Sequence, residues 1–188
     1  MKKFVYKNLD YNKILDLVDY ELKDFFYSLE FIIYSLLSFF VPFFLAHPQL
    51  LVGSIVNCFL ALAAFNLRGL KLLPIILLPS IGVFAAGLIF GNLSSALIYF
   101  IPFIWISNTI YVFLIKYFSF VKIKNKIIGL LAGAFLKSLF LFSVSFLAVS
   151  FKIVPEAFLV LMGQMQLTTA LIGGFAALLI QKIKKVLV

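Results

Sequence analysis

The stretch LLAGAFLKSLFLFSVSF, at residues 130–146, has one charged residue, Lys137, in the middle of an apolar segment. A charge at the centre of such a segment is costly in any apolar medium, and it is rare in membrane helices. The fold of the chain depends on which medium surrounds this segment. Its function depends on what the lysine ammonium contacts.

The composition indicates that the medium is a membrane. Of the 188 residues, 64% are hydrophobic and 12% are charged, whereas roughly a quarter of the residues in a soluble domain are charged. So few polar side chains could not cover the surface of a soluble domain of this size. We therefore predict an all-α integral membrane protein.

Six segments of the chain have about the length needed to cross a bilayer, roughly 17–25 residues. They lie at residues 30–45, 50–67, 72–90, 95–117, 127–151 and 157–180. The first segment is short unless it also includes residues 25–29. Turn-forming and charged residues separate the segments. The predicted organisation is an interfacial segment at residues 1–27, followed by a six-helix transmembrane domain at residues 28–188.

The positive charges occur in alternate breaks between these segments. They lie in the N-terminal segment, in the second break at Arg68 and Lys71, in the fourth break at residues 116–126, and in the C-terminal tail. The remaining breaks contain His47, no charge, or Lys152 beside Glu156. Because lysine and arginine are retained on the cytoplasmic side, this alternation predicts a multi-pass protein of the cell membrane with both termini in the cytoplasm.

Residues 8–26 form a separate pattern, in which apolar residues recur at helical spacing with acidic residues between them. This pattern predicts an amphipathic helix that lies on the membrane or packs under the bundle. The five lysines of the N-terminal segment are balanced by five acids, so strong attraction to anionic lipid is not implied. A membrane anchor and a partner-contacting role both remain open.

Lys137 is expected to face the interior of the bundle. It lies about 15 Å from Ile127 at the helical rise, close to the middle of a hydrocarbon core roughly 30 Å thick. Gly129 and Gly133 precede it at intervals of four residues, so they share its helix face. Small residues at this spacing mark a face that packs against other helices.

The expected partners of Lys137 are neutral, because Glu30 and Glu156 lie near opposite ends of the bundle. We predict that the ammonium receives an anionic or carbonyl group of a ligand, while an aromatic ring stacks on it and polar side chains orient it. The predicted substrate-binding residues are Lys137, Trp105, Asn108, Gln164 and Thr168. The alternative is a structural lysine, neutral or water-bridged, that is hydrogen-bonded to Gln164 or Asn108. Asn57, between Gly53 and Ala61 on a closely packed face, is interpreted as a residue that hydrogen-bonds one helix to another.

Several classes of function are excluded. The net charge of +9 is divided among short patches between apolar runs, which is typical of a membrane protein and not of a nucleic-acid binder. A single cysteine and a single histidine provide neither a disulfide nor a metal site. The sequence has no P-loop and no nucleophile elbow. We therefore expect no enzymatic activity, no metal, no cofactor and no ATP hydrolysis by this chain alone.

Two segments carry a family resemblance. The first is in the third span, at residues 77–95, and contains three glycines: LLPSIGVFAAGLIFGNLSS. The second is in the last span, at residues 162–185, and ends in a basic tail: MGQMQLTTALIGGFAALLIQKIKK. With six short-looped spans and polar residues concentrated in the last three, the chain resembles the substrate-binding S-component of an energy-coupling factor (ECF) transporter. The resemblance implies capture of a vitamin or related micronutrient from outside. It also implies a transmembrane coupling protein and ATPase subunits as partners.

The chain departs from this family at two positions. Many members have an Ala-x-x-x-Ala motif on the first helix, where the coupling protein binds, but the first span here offers only Ser35 and Ser38. The nickel and cobalt relatives have a histidine close behind the first methionine, and this chain lacks one. A non-transporting structural or accessory subunit of a larger membrane complex therefore remains the alternative function.

Overall fold

A computed structural model describes residues 11–45, 48–87, 97–122 and 124–187. Five of the helices are α1, Asp24–Phe44; α2, Gln49–Asn66; α3, Leu72–Ala86; α4, Ile101–Lys116; and α5, Lys126–Ser150. The sixth span begins with the turn Ala157–Leu159 and the π-helical segment Val160–Gln164, and it continues as α6, Met165–Leu187. These six spans are long and apolar enough to cross a membrane, which confirms the predicted six-helix fold.

The helix boundaries differ from the predicted segments at a few ends. The first helix starts at Asp24, so residues 25–29 belong to the span and supply the length that the pattern left in doubt. The third helix ends at Ala86, where Gly87 adopts a left-handed conformation with φ of 62°, as is common at helix C-termini. The expected continuation to residue 90, the following loop and His47 lie outside the described residues.

The helices pack most closely in three pairs, α1 with α3, α2 with α6, and α4 with α5. Glycines permit two of these contacts. A Cβ atom on Gly173 would lie 2.3 Å from the Ser54 carbonyl oxygen, and one on Gly82 would lie 2.5 Å from the Phe39 carbonyl oxygen. The backbones of the paired helices therefore touch, as the small-residue faces of the sequence indicate.

The outside of the bundle is apolar. Phe135, Phe146 and Leu179 expose 57%, 55% and 66% of their surface, and they belong to a large set of exposed phenylalanine, leucine and isoleucine side chains. Such a surface is stable against lipid hydrocarbon, whereas in water it would drive association.

The basic end of the bundle is defined here as the end where Arg68, Lys116, Lys126 and Lys184 lie. Hydrogen bonds join these helix ends to one another. Lys116 donates to the Leu67 carbonyl oxygen at 2.8 Å, which joins α4 to the end of α2. Lys184 on α6 forms an ion pair with Glu30 on α1 and donates to the Tyr34 hydroxyl at 2.9 Å. The opposite end is called the cavity end below.

The N-terminal segment crosses the basic end as a strap, residues 13–23. Its helical part is the 3-10 helix Tyr11–Asp16, and residues 17–23 are not helical. The continuous amphipathic helix predicted at residues 8–26 is therefore not confirmed, and residues 8–10 lie outside the described part. The reason is that the strap's backbone bonds to the bundle: the Leu17 carbonyl accepts from Lys116, and the Asp19 N–H donates to the Phe65 carbonyl at 2.8 Å.

The Asp19 side chain ties the strap to two further helices. Its carboxylate forms an ion pair with Lys126 at the start of α5. It also accepts a hydrogen bond of 3.0 Å from Gln181 on α6. Gln181 in turn donates to Asn66 at the end of α2, at 2.7 Å. The described part of the N-terminal segment thus packs under the bundle, which was one of the two expected placements.

Candidate ligand-binding cavity

The ammonium of Lys137 lies at the centre of the bundle, and its side chain is 2% exposed. It donates to the Asn57 side-chain oxygen at 2.6 Å and to the Asn108 side-chain oxygen at 2.8 Å. The Tyr111 ring lies on its other side, with the centroid 5.3 Å from Nζ, a distance at which the ring face attracts a cation. The lysine points inward, as the glycines on its helix face predict.

The two asparagines are held in one orientation by their amide nitrogens. The Asn57 nitrogen donates to the Gly53 carbonyl at 2.9 Å and to the Thr169 hydroxyl at 3.1 Å. The Asn108 nitrogen donates to the Ile76 carbonyl at 3.0 Å. Since an amide group has its donors and its acceptor on opposite sides, both oxygens are fixed toward Lys137. Helices α2, α3, α4 and α6 are joined to α5 in this way.

A cavity of about 90 Å³ lies above this cluster. The side chains that line it are Pro42, Gln49, Val52, Gly53, Val56, Asn57, Pro79, Ser80, Val83, Leu97, Ile104, Asn108, Lys137, Met162 and Gln166. Lys137, Asn57 and Asn108 form its floor. Gln49 and Leu97 lie near helix ends at the cavity end of the bundle, so the cavity extends from the middle of the bundle toward that end.

A dry layer separates this floor from the basic end. Its side chains are 0–1% exposed and comprise Leu60, Ala61, Ala64, Phe65, Ile115, Leu130, Ala134 and Ala177. The backbone contact at Gly173 closes the α2–α6 seam beside the floor, directly above this layer. Small and branched apolar residues at this density leave no space for water. Within the described part of the chain, this layer closes the cavity toward the basic end.

Of the five predicted site residues, two line the cavity, Lys137 and Asn108. Trp105 does not line it. Its indole N–H donates to the Ser80 hydroxyl at 2.8 Å and to the Leu77 carbonyl at 3.2 Å, because an indole N–H in an apolar medium requires an acceptor. The expected stacking of Trp105 on a ligand therefore has no support, although its partner Ser80 does line the cavity.

Gln164 and Thr168 also lie away from the cavity. The Gln164 side chain is exposed, and the Thr168 hydroxyl donates to the Gln164 carbonyl at 2.9 Å. The physical reason is the rotation of α6, which is fixed by the contact of Gly173 with the α2 backbone. This contact turns the face of Gln166 and Thr169 inward and leaves Gln164 and Thr168 on the outward face.

The interpretation of Asn57 as a residue that hydrogen-bonds one helix to another is confirmed, since it bonds to Thr169 on α6 and to Lys137 on α5. Its place in the floor of the cavity was not predicted. The available signal was its position between Gly53 and Ala61, a face as closely packed as that of Lys137 itself. Gln166 lies on the face next to that of Gln164 and Thr168, and nothing in the sequence fixes which of the two faces turns inward.

Comparison with known proteins adds no assignment: no protein-family model, curated protein or solved structure matches this chain. The chemistry of the cavity and the arrangement of the bundle around it are the features that bear on function.

Proposed function

We propose that the chain is a multi-pass subunit of the cell membrane that captures a small solute in this cavity. The basic end faces the cytoplasm in this proposal, because lysine and arginine are retained on that side. The cavity end then faces outward, and both chain termini are cytoplasmic. The solute enters from outside and stops at Lys137.

The observation that carries the proposal is the one-sided access to a polar floor. A lysine ammonium has three N–H donors, and Lys137 uses two of them on Asn57 and Asn108. The third donor is available to a ligand in the cavity. The dry layer beneath blocks passage toward the basic end, which favours capture over conduction. Release to the cytoplasm then requires a rearrangement of the bundle.

Uptake against a gradient requires energy that this chain cannot supply alone, since its sequence has no nucleotide-binding motif. The resemblance to ECF S-components supports a coupling protein and ATPase subunits as partners, and a vitamin-like micronutrient as solute. Small-molecule sites usually have volumes of roughly 300–1,000 Å³, and the cavity has about 90 Å³. A ligand of vitamin size would therefore require the cavity to widen.

The second candidate function is a non-transporting accessory subunit. It is favoured by the burial of Lys137, whose ammonium is already bonded to two protein side chains. In that case the lysine joins α2, α4 and α5, and the space above it contains only water. The two candidates differ in whether a solute occupies the cavity.

Mass spectrometry of small molecules that co-purify with the protein tests the proposal. We expect one solute at a near-stoichiometric amount in the wild-type preparation and its loss from Lys137→Met. Lys182→Met is the matched control, because it removes the same charge from an exposed position. A wild-type preparation without any solute, after purification from cells grown in rich medium, would contradict the proposal and favour the accessory function.

A further inference from the structure

We infer that the ligand of this cavity is a compact monocarboxylate whose oxygens bind Lys137 and the side-chain amide of Gln166. The inference rests on the proposed function and adds the chemical class of the solute. Three properties of the cavity carry it: the charge of its floor, the arrangement of its hydrogen-bond donors, and its volume with apolar walls.

The charge of the floor favours an anion. The sequence contains no aspartate or glutamate between residues 31 and 155, and none after Glu156. Lys137 consequently has only neutral hydrogen-bond partners, the two asparagine oxygens. A buried cation without a counter-ion is costly, and an anionic ligand would remove that cost. A cationic ligand would be repelled by the same ammonium.

The donors favour a ligand with two oxygen atoms. The amide nitrogens of Asn57 and Asn108 are occupied by Gly53, Thr169 and Ile76. These asparagines can therefore orient Lys137 but cannot donate to the ligand. Gln166 also lines the cavity and is half-buried, and it lies three residues before Thr169, whose hydroxyl accepts from Asn57 in the floor. Within the described part of the chain, the Gln166 side chain makes no hydrogen bond, which leaves its N–H groups for a carboxylate. Gln49 lines the cavity nearer its end, about 12 Å above Asn57 at the helical rise.

The volume and the walls favour a short apolar body. The cavity volume of about 90 Å³ exceeds the roughly 10–15 Å³ that one water molecule requires and is well below the roughly 300 Å³ of an ordinary small-molecule site. A short-chain carboxylate fits this size better than a larger acid. The walls are apolar at Val52, Val83, Ile104 and Met162, and they would contact methyl and methylene groups. A halide or nitrate ion has no methyl or methylene group that could contact these apolar walls.

Trp105 provides the measurement, since it is the only tryptophan in the chain and bonds to Ser80 in the cavity wall. Purified protein in lipid nanodiscs is titrated with sodium propionate and sodium butyrate, while tryptophan fluorescence and thermal unfolding are recorded. Propionamide matches propionate in shape without its charge, and sodium chloride supplies the same cation with a simple anion. We expect saturable binding of the carboxylates and at least tenfold weaker binding of propionamide.

Two variants connect the effect to Lys137. A hydrogen bond to a charged group contributes about 1.5–3 kcal/mol, so Lys137→Met should weaken carboxylate binding roughly ten- to a hundredfold, and Lys182→Met should leave it unchanged. Asn108→Asp places a carboxylate beside Lys137 and so supplies the missing counter-ion within the protein. The variant also loses the N–H that bonds to the Ile76 carbonyl, but it should still unfold cooperatively while carboxylate binding is lost, which a variant that merely misfolds would not do.

The outcomes separate the inference from the proposed function. Equal binding of propionamide and propionate, or saturation by chloride alone, would overturn the carboxylate class and leave solute capture intact. The same holds if a solute co-purifies but none of the carboxylates binds. Failure of every probe together with an empty wild-type preparation would overturn both proposals.

Discussion

The bundle buries one lysine at each of two levels, and the two lysines have different kinds of partner. Lys116, which is 0% exposed, donates to the main-chain carbonyls of Leu17 and Leu67 at the basic end. Lys137, which is 2% exposed, donates to the side chains of Asn57 and Asn108 below the cavity. Neither lysine has a carboxylate among these hydrogen-bond partners.

This difference shows that burial of a lysine does not by itself indicate a binding site. The carbonyls that bind Lys116 belong to the strap and to the end of α2, so this ammonium fastens backbone to backbone. The asparagines that bind Lys137 are adjacent to an open volume, and one N–H of this ammonium remains for a ligand. The type of partner and the adjoining space therefore distinguish a structural lysine from a candidate functional one.

The largest expected effect concerns the two ends of the bundle, which should lie on opposite sides of the membrane. Glu156→Cys and Lys124→Cys each place a thiol at an exposed position, in a chain whose buried Cys58 is replaced by alanine. A membrane-impermeant thiol reagent should modify Glu156→Cys in intact cells. It should modify Lys124→Cys only after the membrane is permeabilised. The reverse result would invert the orientation and contradict capture from outside.

The next effect concerns the two lysines directly. Lys116→Met removes the donor of two buried main-chain carbonyls, and each unsatisfied group costs about 1–3 kcal/mol. The free energy of unfolding should fall accordingly, and the Asp19 N–H in the strap should exchange faster with deuterium. Lys137→Met should change the free energy of unfolding by less than about 1 kcal/mol, because water in the cavity can satisfy the asparagine oxygens and the desolvation of a buried charge is relieved.

Thermal unfolding of both variants in the same lipid, with hydrogen exchange of the strap, provides the measurement. The distinction between a structural Lys116 and a functional Lys137 is wrong if Lys137→Met is the more destabilised of the two variants. In that case Lys137 has the structural role, and the accessory function gains support. The exchange rate of the strap serves as the internal control, since Lys137 does not contact it.

The number of helices and the burial of Lys137 could be predicted from the sequence because both follow from local patterns. Apolar length determines the spans, and glycines at intervals of four residues place Lys137 on a packed face. The Glu30 carboxylate was likewise placed near one end of the bundle, where it pairs with Lys184.

The remaining site residues could not be predicted because they depend on how one helix is rotated against another. Gln164 and Thr168 share one face of the sixth span, and Gln166 and Thr169 share the next. The contacts of Gly173 and Thr169 with α2 determine which face turns inward. The strap was mispredicted for a related reason, since its helical spacing is real but its backbone bonds to Lys116 and Phe65. Tertiary hydrogen bonds override a local preference of this size.

The smallest expected effect concerns the dry layer between the two levels, and adjacent glycines provide a matched pair. A Cβ atom on Gly173 would lie 2.3 Å and 2.6 Å from main-chain atoms of Ser54 and Cys58, which cannot move without shifting α2. A Cβ atom on Gly174 would lie 2.8 Å from the end of the Leu130 side chain, which can rotate, and 2.8 Å from the Tyr111 hydroxyl, which bonds to the Ala170 carbonyl; neither contact is with a main-chain atom. Overpacking against backbone costs about 1–3 kcal/mol, so Gly173→Ala should lower the unfolding temperature more than Gly174→Ala.

The thiol of Cys58 reports whether the layer has opened. It is the only cysteine in the chain and is 7% exposed, so a small membrane-permeant thiol reagent should modify it slowly in the wild type. Gly173→Ala separates α2 from α6 at this position and should accelerate the modification, while Gly174→Ala should leave the rate close to that of the wild type. Equal rates in the two variants would mean that the α2–α6 contact does not form the seal. The one-sided access on which solute capture depends would then lose its physical basis.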